Sequence, residues 1–169
     1  MTTFHNPSLA DIRELLRASR TIAVVGISDN PARPSHGVTT SMRAFGYCIL
    51  PVNPALAEWQ GIPAHPTLAA AVQALAPDEH IDIVNVFRRP AQVDTLVDEC
   101  LRLGLHTLWL QQGVINAPAA ARAIAAVTRR HSRTGWASFA RRSCPGGAKP
   151  RGSRSRARSD QSCRNWSAA

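Results

Sequence analysis

Short unbroken apolar runs alternate along this chain with stretches in which apolar residues recur at helical spacing. Ser8-Leu-Ala-Asp11 resembles a capping box with Asp in place of Glu, and Leu9, Ile12, Leu15 and Leu16 follow, which predicts a helix over 8–19. Thr21–Ile27 is β-branched and continuous, the pattern of a strand buried on both faces. A helix over 35–45 stops at Gly46, and Tyr47–Val52 reads as the second strand, ended by Asn53-Pro54. Gly61–Ala64 fits a short edge strand, and Thr67 caps a helix running to 75. Ile81–Phe87 is the next strand, a helix over 90–103 closes at Gly104, and His106–Gln111 is a further strand. Gln112-Gly113 turns, and a helix runs from Asn116 to about 127. Strands that alternate with helices in this way predict an α/β fold. The expected form is a Rossmann-like, doubly wound, mostly parallel sheet of about five strands with helices on both faces.

The periodicity ends after Val127, which divides the chain into a domain at 1–128 and a tail at 129–169. The net charge of +9 divides the same way. Residues 1–128 carry nine Arg against ten Asp and Glu, a net of −1, whereas 129–169 carry ten Arg and one Lys against Asp160, a net of +10. The tail, rich in Arg, Ser, Gly and Pro, is expected to be disordered, and its abrupt onset is what an altered reading frame in an Arg-rich coding sequence would produce. The N-terminus carries no basic-then-apolar signal pattern and no apolar run approaches a bilayer span, so a cytoplasmic setting is expected. Cys48, Cys100, Cys144 and Cys163 have no metal-ligand spacing, and Cys48 and Cys100 read as buried thiols.

In an open α/β sheet, ligands bind beyond the carboxyl ends of the strands. Strand one delivers Gly26, Ser28, Arg33 and Ser35 there, and the helix that follows adds its N-terminal dipole, an anion-binding corner. Strand two delivers Asn53 and Pro54, the fourth Phe87, Arg88 and Arg89, and the fifth Gln111 and Gly113. Arginine is suited to forked hydrogen bonding with phosphate, so a nucleotide with more than one phosphate is the expected guest. Each residue taken singly also has a structural explanation. Gly26 can serve a tight turn, Asn53-Pro54 can be turn chemistry, His36 can be a solvent-facing helix-start residue, and Trp109 reads as core. An NAD(P)-binding oxidoreductase is disfavoured, because Gly26-Ile-Ser28 lacks G-x-G-x-x-G and Asn53 stands where an acid would hold the ribose. The six histidines are scattered without a metal or catalytic pattern, so binding is favoured over turnover and no catalytic residue is assigned. The tail supports a second, unrelated class: its eleven cations would bind nucleic acid through counterion release.

Four motifs stand in order along the chain: Ile22-Ala-Val-Val-Gly-Ile-Ser28 with Arg33-Pro-Ser35; Gly46-Tyr47 leading to Leu50-Pro-Val-Asn-Pro54; Val84-Asn-Val-Phe-Arg-Arg-Pro90; and Leu108-Trp-Leu-Gln111 with Gly113. Over residues 8–127 the chain resembles the stand-alone CoA-binding domain proteins, similar to the N-terminal domain of the succinyl-CoA synthetase α subunit. The resemblance implies non-covalent binding of coenzyme A or an acyl-CoA. Gly26, Ser28, Arg33 and Ser35 would line the phosphate loop, with Asn53 and Pro54 flanking the ligand. Val86, Phe87 and Arg88 would border the adenosine, Arg88 or Arg89 would meet the 3′-phosphate, and Gln111 and Gly113 would approach the pantetheine arm. The synthetases' phosphohistidine domain has no counterpart in these residues, so ligase activity is not implied. Where the family continues with another apolar strand, this chain reads Arg133–Cys144, so the sheet is expected to lack its final strand.

Overall fold

Why the strands assemble as they do follows from their lack of a polar face. Apart from Thr21 and Asn85, each run is apolar on both sides and must be covered on both, which a parallel sheet between two helical layers provides. A computed structural model describes residues 8–111 and 139–141. Strand β1 (Thr21–Val25) lies between β2 (Cys48–Val52) and β5 (Ile83–Val86), and β6 (Leu108–Leu110) and β7 (Phe139–Arg141) follow beyond β5. Every neighbouring pair in this five-stranded sheet is parallel. Counting only these strands, the order is 2-1-3-4-5, and it reverses direction between β1 and β5.

The helices start and stop on local chemistry. Helix α1 (Leu9–Ala18) opens with the capping box as expected: the Ser8 hydroxyl accepts from the Asp11 amide, and the Asp11 carboxylate accepts from the Ser8 amide. Helix α2 (Pro34–Ala44) begins on a proline, whose missing N–H costs nothing at that position. Thr67 caps α3 (Leu68–Gln73) through the Ala70 amide. A 3₁₀ turn at Pro90–Gln92 leads into α4 (Val93–Arg102), where the sequence predicted one continuous helix.

Side-chain alternation then sorts the sheet into two faces. Ala23, Val25, Leu50, Val52, Val84, Val86, Leu108 and Leu110 bury one face against Leu68 and Ala71 of α3 and Val93, Leu96, Val97 and Cys100 of α4. Ile22, Val24, Ile49 and Ile83 bury the other beneath Leu15 and Leu16 of α1 and Met42 of α2. Each buried aliphatic side chain stabilises the fold by roughly 1.5–3 kcal/mol relative to exposure. Polar anchors fix the sheet's amino edge: the Asp82 carboxylate accepts from the amides of Arg20 (2.7 Å) and Thr21 (2.9 Å), tying the start of β1 to that of β5. A two-stranded hairpin, β3 (Glu58–Trp59) and β4 (Ile62–Pro63), replaces the single short strand expected at 61–64.

Three further expectations are corrected. The final strand is present, because Phe139–Arg141 forms β7 on the edge of β6. A ladder is built from backbone groups, so the departure from the family's apolar run does not prevent pairing. Those three residues also lie inside the segment expected to be disordered; the helix from Asn116 to 127 and the rest of the tail lie outside the described residues. Cys48 is half-buried and disulfide-bonded instead of a buried thiol.

Cys100 is a buried free thiol, as expected. Burial, followed by the neighbouring Glu99 charge, pushes it from an ordinary 9.0 up to about 12. The folded state therefore keeps a proton that the unfolded chain releases, so this contribution to stability is present below pH 9.0 and lost as pH rises towards 12. Burial raises Tyr47 in the same direction, and its hydroxyl donates to the Leu16 carbonyl (2.7 Å), a bond the phenolate cannot make. The urea midpoint should accordingly fall through this alkaline range, and more shallowly for Cys100→Ala. Iodoacetamide near neutral pH should leave Cys100 unmodified until urea is added, as read by peptide mapping.

Candidate functional site

The carboxyl ends of β1 and β5 approach closely, and Gly26 makes that approach possible. Its φ is +83°, and a Cβ built there would stand 2.6 Å from the Phe87 carbonyl oxygen. The Gly26 amide donates to the Val52 carbonyl (2.9 Å) and the Phe87 amide to the Val25 carbonyl (2.8 Å), so β2, β1 and β5 are tied together at their carboxyl ends. This is why β1 stops at Val25 instead of Ile27.

Beyond Gly26 the chain forms a loop built from its own polar groups. The Ser28 hydroxyl accepts from the Asn30 amide (3.2 Å), and the Asn30 side-chain oxygen accepts from the Ala32 amide (2.9 Å). The loop delivers Arg33 to the N-cap of α2, exposed and without a side-chain cap, while Ser35 is buried behind it. The α2 N-terminus thus offers its dipole at the sheet's carboxyl edge, although Pro34 has no N–H and the Arg33 and His36 amides donate to the Asn30 and Arg33 carbonyls. Asn53 joins this loop to β2: its Nδ2 donates to the Ile27 carbonyl (2.6 Å) and its Oδ1 accepts from the Ala55 amide (2.9 Å). Its amide is engaged in shaping the crevice wall, and Pro54 beside it is exposed.

On the α3–α4 face of the same edge lies a cleft of about 350 Å³, lined among others by Val25, Val52, Thr67, Arg88, Gln92 and Glu99. Arg88 is half-buried, and its Cδ lies 3.3 Å from the Cβ position of Gly26, so its stem crosses the β1 turn. Arg89 is exposed at the start of the 3₁₀ turn. The side chains of Arg33, Arg88 and Arg89 make no hydrogen bond or ion pair among the described residues. Glu99 is partly engaged, its carboxylate accepting from the Ala69 amide (3.2 Å).

Most of the expected site residues are brought to this edge, but not all. Val86 is fully buried, because alternation turns it to the same core face as Val84, so its side chain does not border a ligand. Phe87 is half-buried and packs against the α1–α2 layer. Gln111 is half-buried at the end of β6, and Gly113 lies outside the described residues. His36, read as solvent-facing, packs edge-on against the buried Trp59 (ring centroids 5.7 Å apart) and lies 3.3 Å from the Gln60 side-chain nitrogen.

Sequence reasoning missed two features. Gln60, at φ +49°, and Gly61, at φ +78°, form the turn of the β3–β4 hairpin. Gln60 meets α2 along one stripe: its Nε2 donates to Thr40 Oγ1 (3.2 Å), and Arg43 Nη1 donates to its carbonyl (3.2 Å). The turn glycine was the available signal. The second is Asn85, a buried amide in the middle of β5, whose interruption of an apolar run was the signal. Among the described residues, no group of three or more His, Cys, Asp or Glu could hold a metal, and no helix is long and apolar enough to cross a membrane.

Comparison with known proteins agrees with this fold. The uncharacterized Bacillus subtilis (strain 168) protein YneT is 45% identical over 114 residues, 68% of this chain and 80% of the relative. A hypothetical protein from Pyrococcus horikoshii OT3 superposes with a TM-score of 0.66 at 27% identity, covering 84% of this chain and 92% of that one. A Thermus thermophilus protein does so with a TM-score of 0.66 at 29% identity, covering 80% and 91%. The CoA binding domain family matches residues 20–132, most of the chain and the ends of β1 to β6, and the chain belongs to that family.

Proposed function

We propose that this protein binds coenzyme A or an acyl-CoA non-covalently across the carboxyl ends of β2, β1, β5 and β6, as a binding module and not as an enzyme. The observation that carries the reading is the strand-order reversal, whose rim holds both a half-buried Arg88 with no side-chain partner among the described residues and, following β1, the uncapped start of α2. A ligand with phosphates at two separated points suits two separated anion sites. The pyrophosphate lies against the loop of Ser28, Arg33 and Ser35, and the 3′-phosphate lies at Arg88. The adenosine occupies the cleft on the α3–α4 face, whose volume of about 350 Å³ suits a nucleoside. Glu99 at its wall is an acceptor that matches the adenine amino group.

Calorimetry on the full chain with CoA, dephospho-CoA and NAD tests this. Heat with CoA, weaker binding of dephospho-CoA and none of NAD are expected. Heat with NAD and none with CoA would overturn the proposal.

A further inference from the structure

A buried amide stands where the fold has no need of one. Asn85 is 3% exposed in β5, level with Val24 of β1 and Trp109 of β6, in a strand whose other three residues are Ile or Val. An amide taken out of water destabilises the fold unless it is hydrogen-bonded, and an aliphatic residue would fill the position without that cost. Asn85 has two partners. The Gln111 Nε2 donates to its Oδ1 at 2.7 Å, and its own Nδ2 points to the Met42 sulfur at 3.7 Å, a weak acceptor. The strong bond therefore reaches across to the neighbouring strand, diagonally, to the residue immediately after β6.

That bond also decides which way the Gln111 amide faces. Asn85 presents an acceptor, so Gln111 must turn its nitrogen inward, and its Oε1 is left without a hydrogen bond among the described residues. Gln111 is half-buried and stands at the strand ends on the far side of β5 from β1 and β2, whose ends contribute Val25 and Val52 to the cleft. We infer that Asn85 is a positioning residue that holds Gln111 with its carbonyl outward, as the acceptor for an amide N–H of the ligand's pantetheine arm. The inference rests on the CoA reading above. A buried polar group kept where an apolar one would serve the fold is the kind of local conflict that function explains.

The test compares CoA with adenosine 3′,5′-bisphosphate, which lacks the arm, by calorimetry on the full chain. Asn85→Leu should weaken CoA up to about tenfold, the worth of one neutral hydrogen bond. It should leave bisphosphate affinity unchanged and Tm unchanged or higher. Gln111→Ala should show the same selective loss, and it keeps the test open should Asn85→Leu fail to fold. The double variant should lose no more than either single variant. Equal weakening of both ligands, or unchanged CoA affinity in the variants, would overturn the positioning role. An unaltered chain that binds neither ligand would instead overturn the CoA reading, and this inference with it.

Discussion

Gly26→Ala is expected to destabilise the protein by about 2–3 kcal/mol and to abolish CoA binding, whereas Gly37→Ala, eleven positions along the chain, should stabilise it. Two independent costs meet at Gly26. Its φ of +83° lies in the left-handed region, which an L side chain occupies at about 1–2 kcal/mol. The added Cβ would also stand 2.6 Å from the Phe87 carbonyl oxygen and 3.1 Å from the carbonyl carbon, both backbone atoms. Neither strand can move aside without losing the bonds from Gly26 to Val52 and from Phe87 to Val25. Any relaxation therefore shifts Phe87 and Arg88, and the crevice with them. Gly37 lies inside α2 with nothing within 4 Å of its Cβ position, and there alanine gains about 0.5–1 kcal/mol in helix propensity. Urea denaturation and CoA calorimetry on the two variants check the contrast. Equal stability of the two would show that the β1–β5 approach is not what fixes the rim.

The periodicity of the chain was enough to predict the layers because each element agrees with its neighbours. The Ser8–Asp11 box, the apolar runs around Val24 and Val84, and Thr67 ahead of its helix each favour the element they form. What the sequence left hidden depends on where side chains turn. Alternation within a strand sends Val86 into the core and Asn85 to the opposite face, and a single chain does not state which face carries the ligand. Asn53 is a residue that either meets a ligand or ties a loop, and only its bonds to Ile27 and Ala55 decide for the loop. The hairpin escaped notice because Trp59 is buried by tertiary packing, in a strand of two residues too short for any period. The same packing captured His36. Strand β7 was misjudged from side chains when its pairing is made by the backbone.

Arg88→Ala should weaken CoA by about 10–150-fold, the equivalent of one charge-assisted hydrogen bond of about 1.5–3 kcal/mol, while leaving dephospho-CoA nearly unaffected. Two adjacent arginines that are equivalent in the sequence differ in their surroundings. Arg88 lines the cleft, is half-buried and has its stem laid over Gly26, so little side-chain freedom remains to be lost on binding. Arg89 is exposed and sits outside the cleft lining, so Arg89→Ala should change CoA affinity only a few-fold, through screened attraction. Arg88→Lys should recover part of the loss, since an ammonium supplies the charge without the fork. Because the Arg88 side chain has no protein partner among the described residues, its removal should shift stability by no more than about 0.5 kcal/mol, and the loss of affinity can be read directly as a contact. The four affinities, for two ligands and for the chain with and without the Arg88 guanidinium, form a cycle. Its coupling should account for nearly the whole preference for CoA over dephospho-CoA. Were Arg89→Ala instead to carry that preference, the 3′-phosphate would lie outside the cleft, on the solvent side of the 3₁₀ turn.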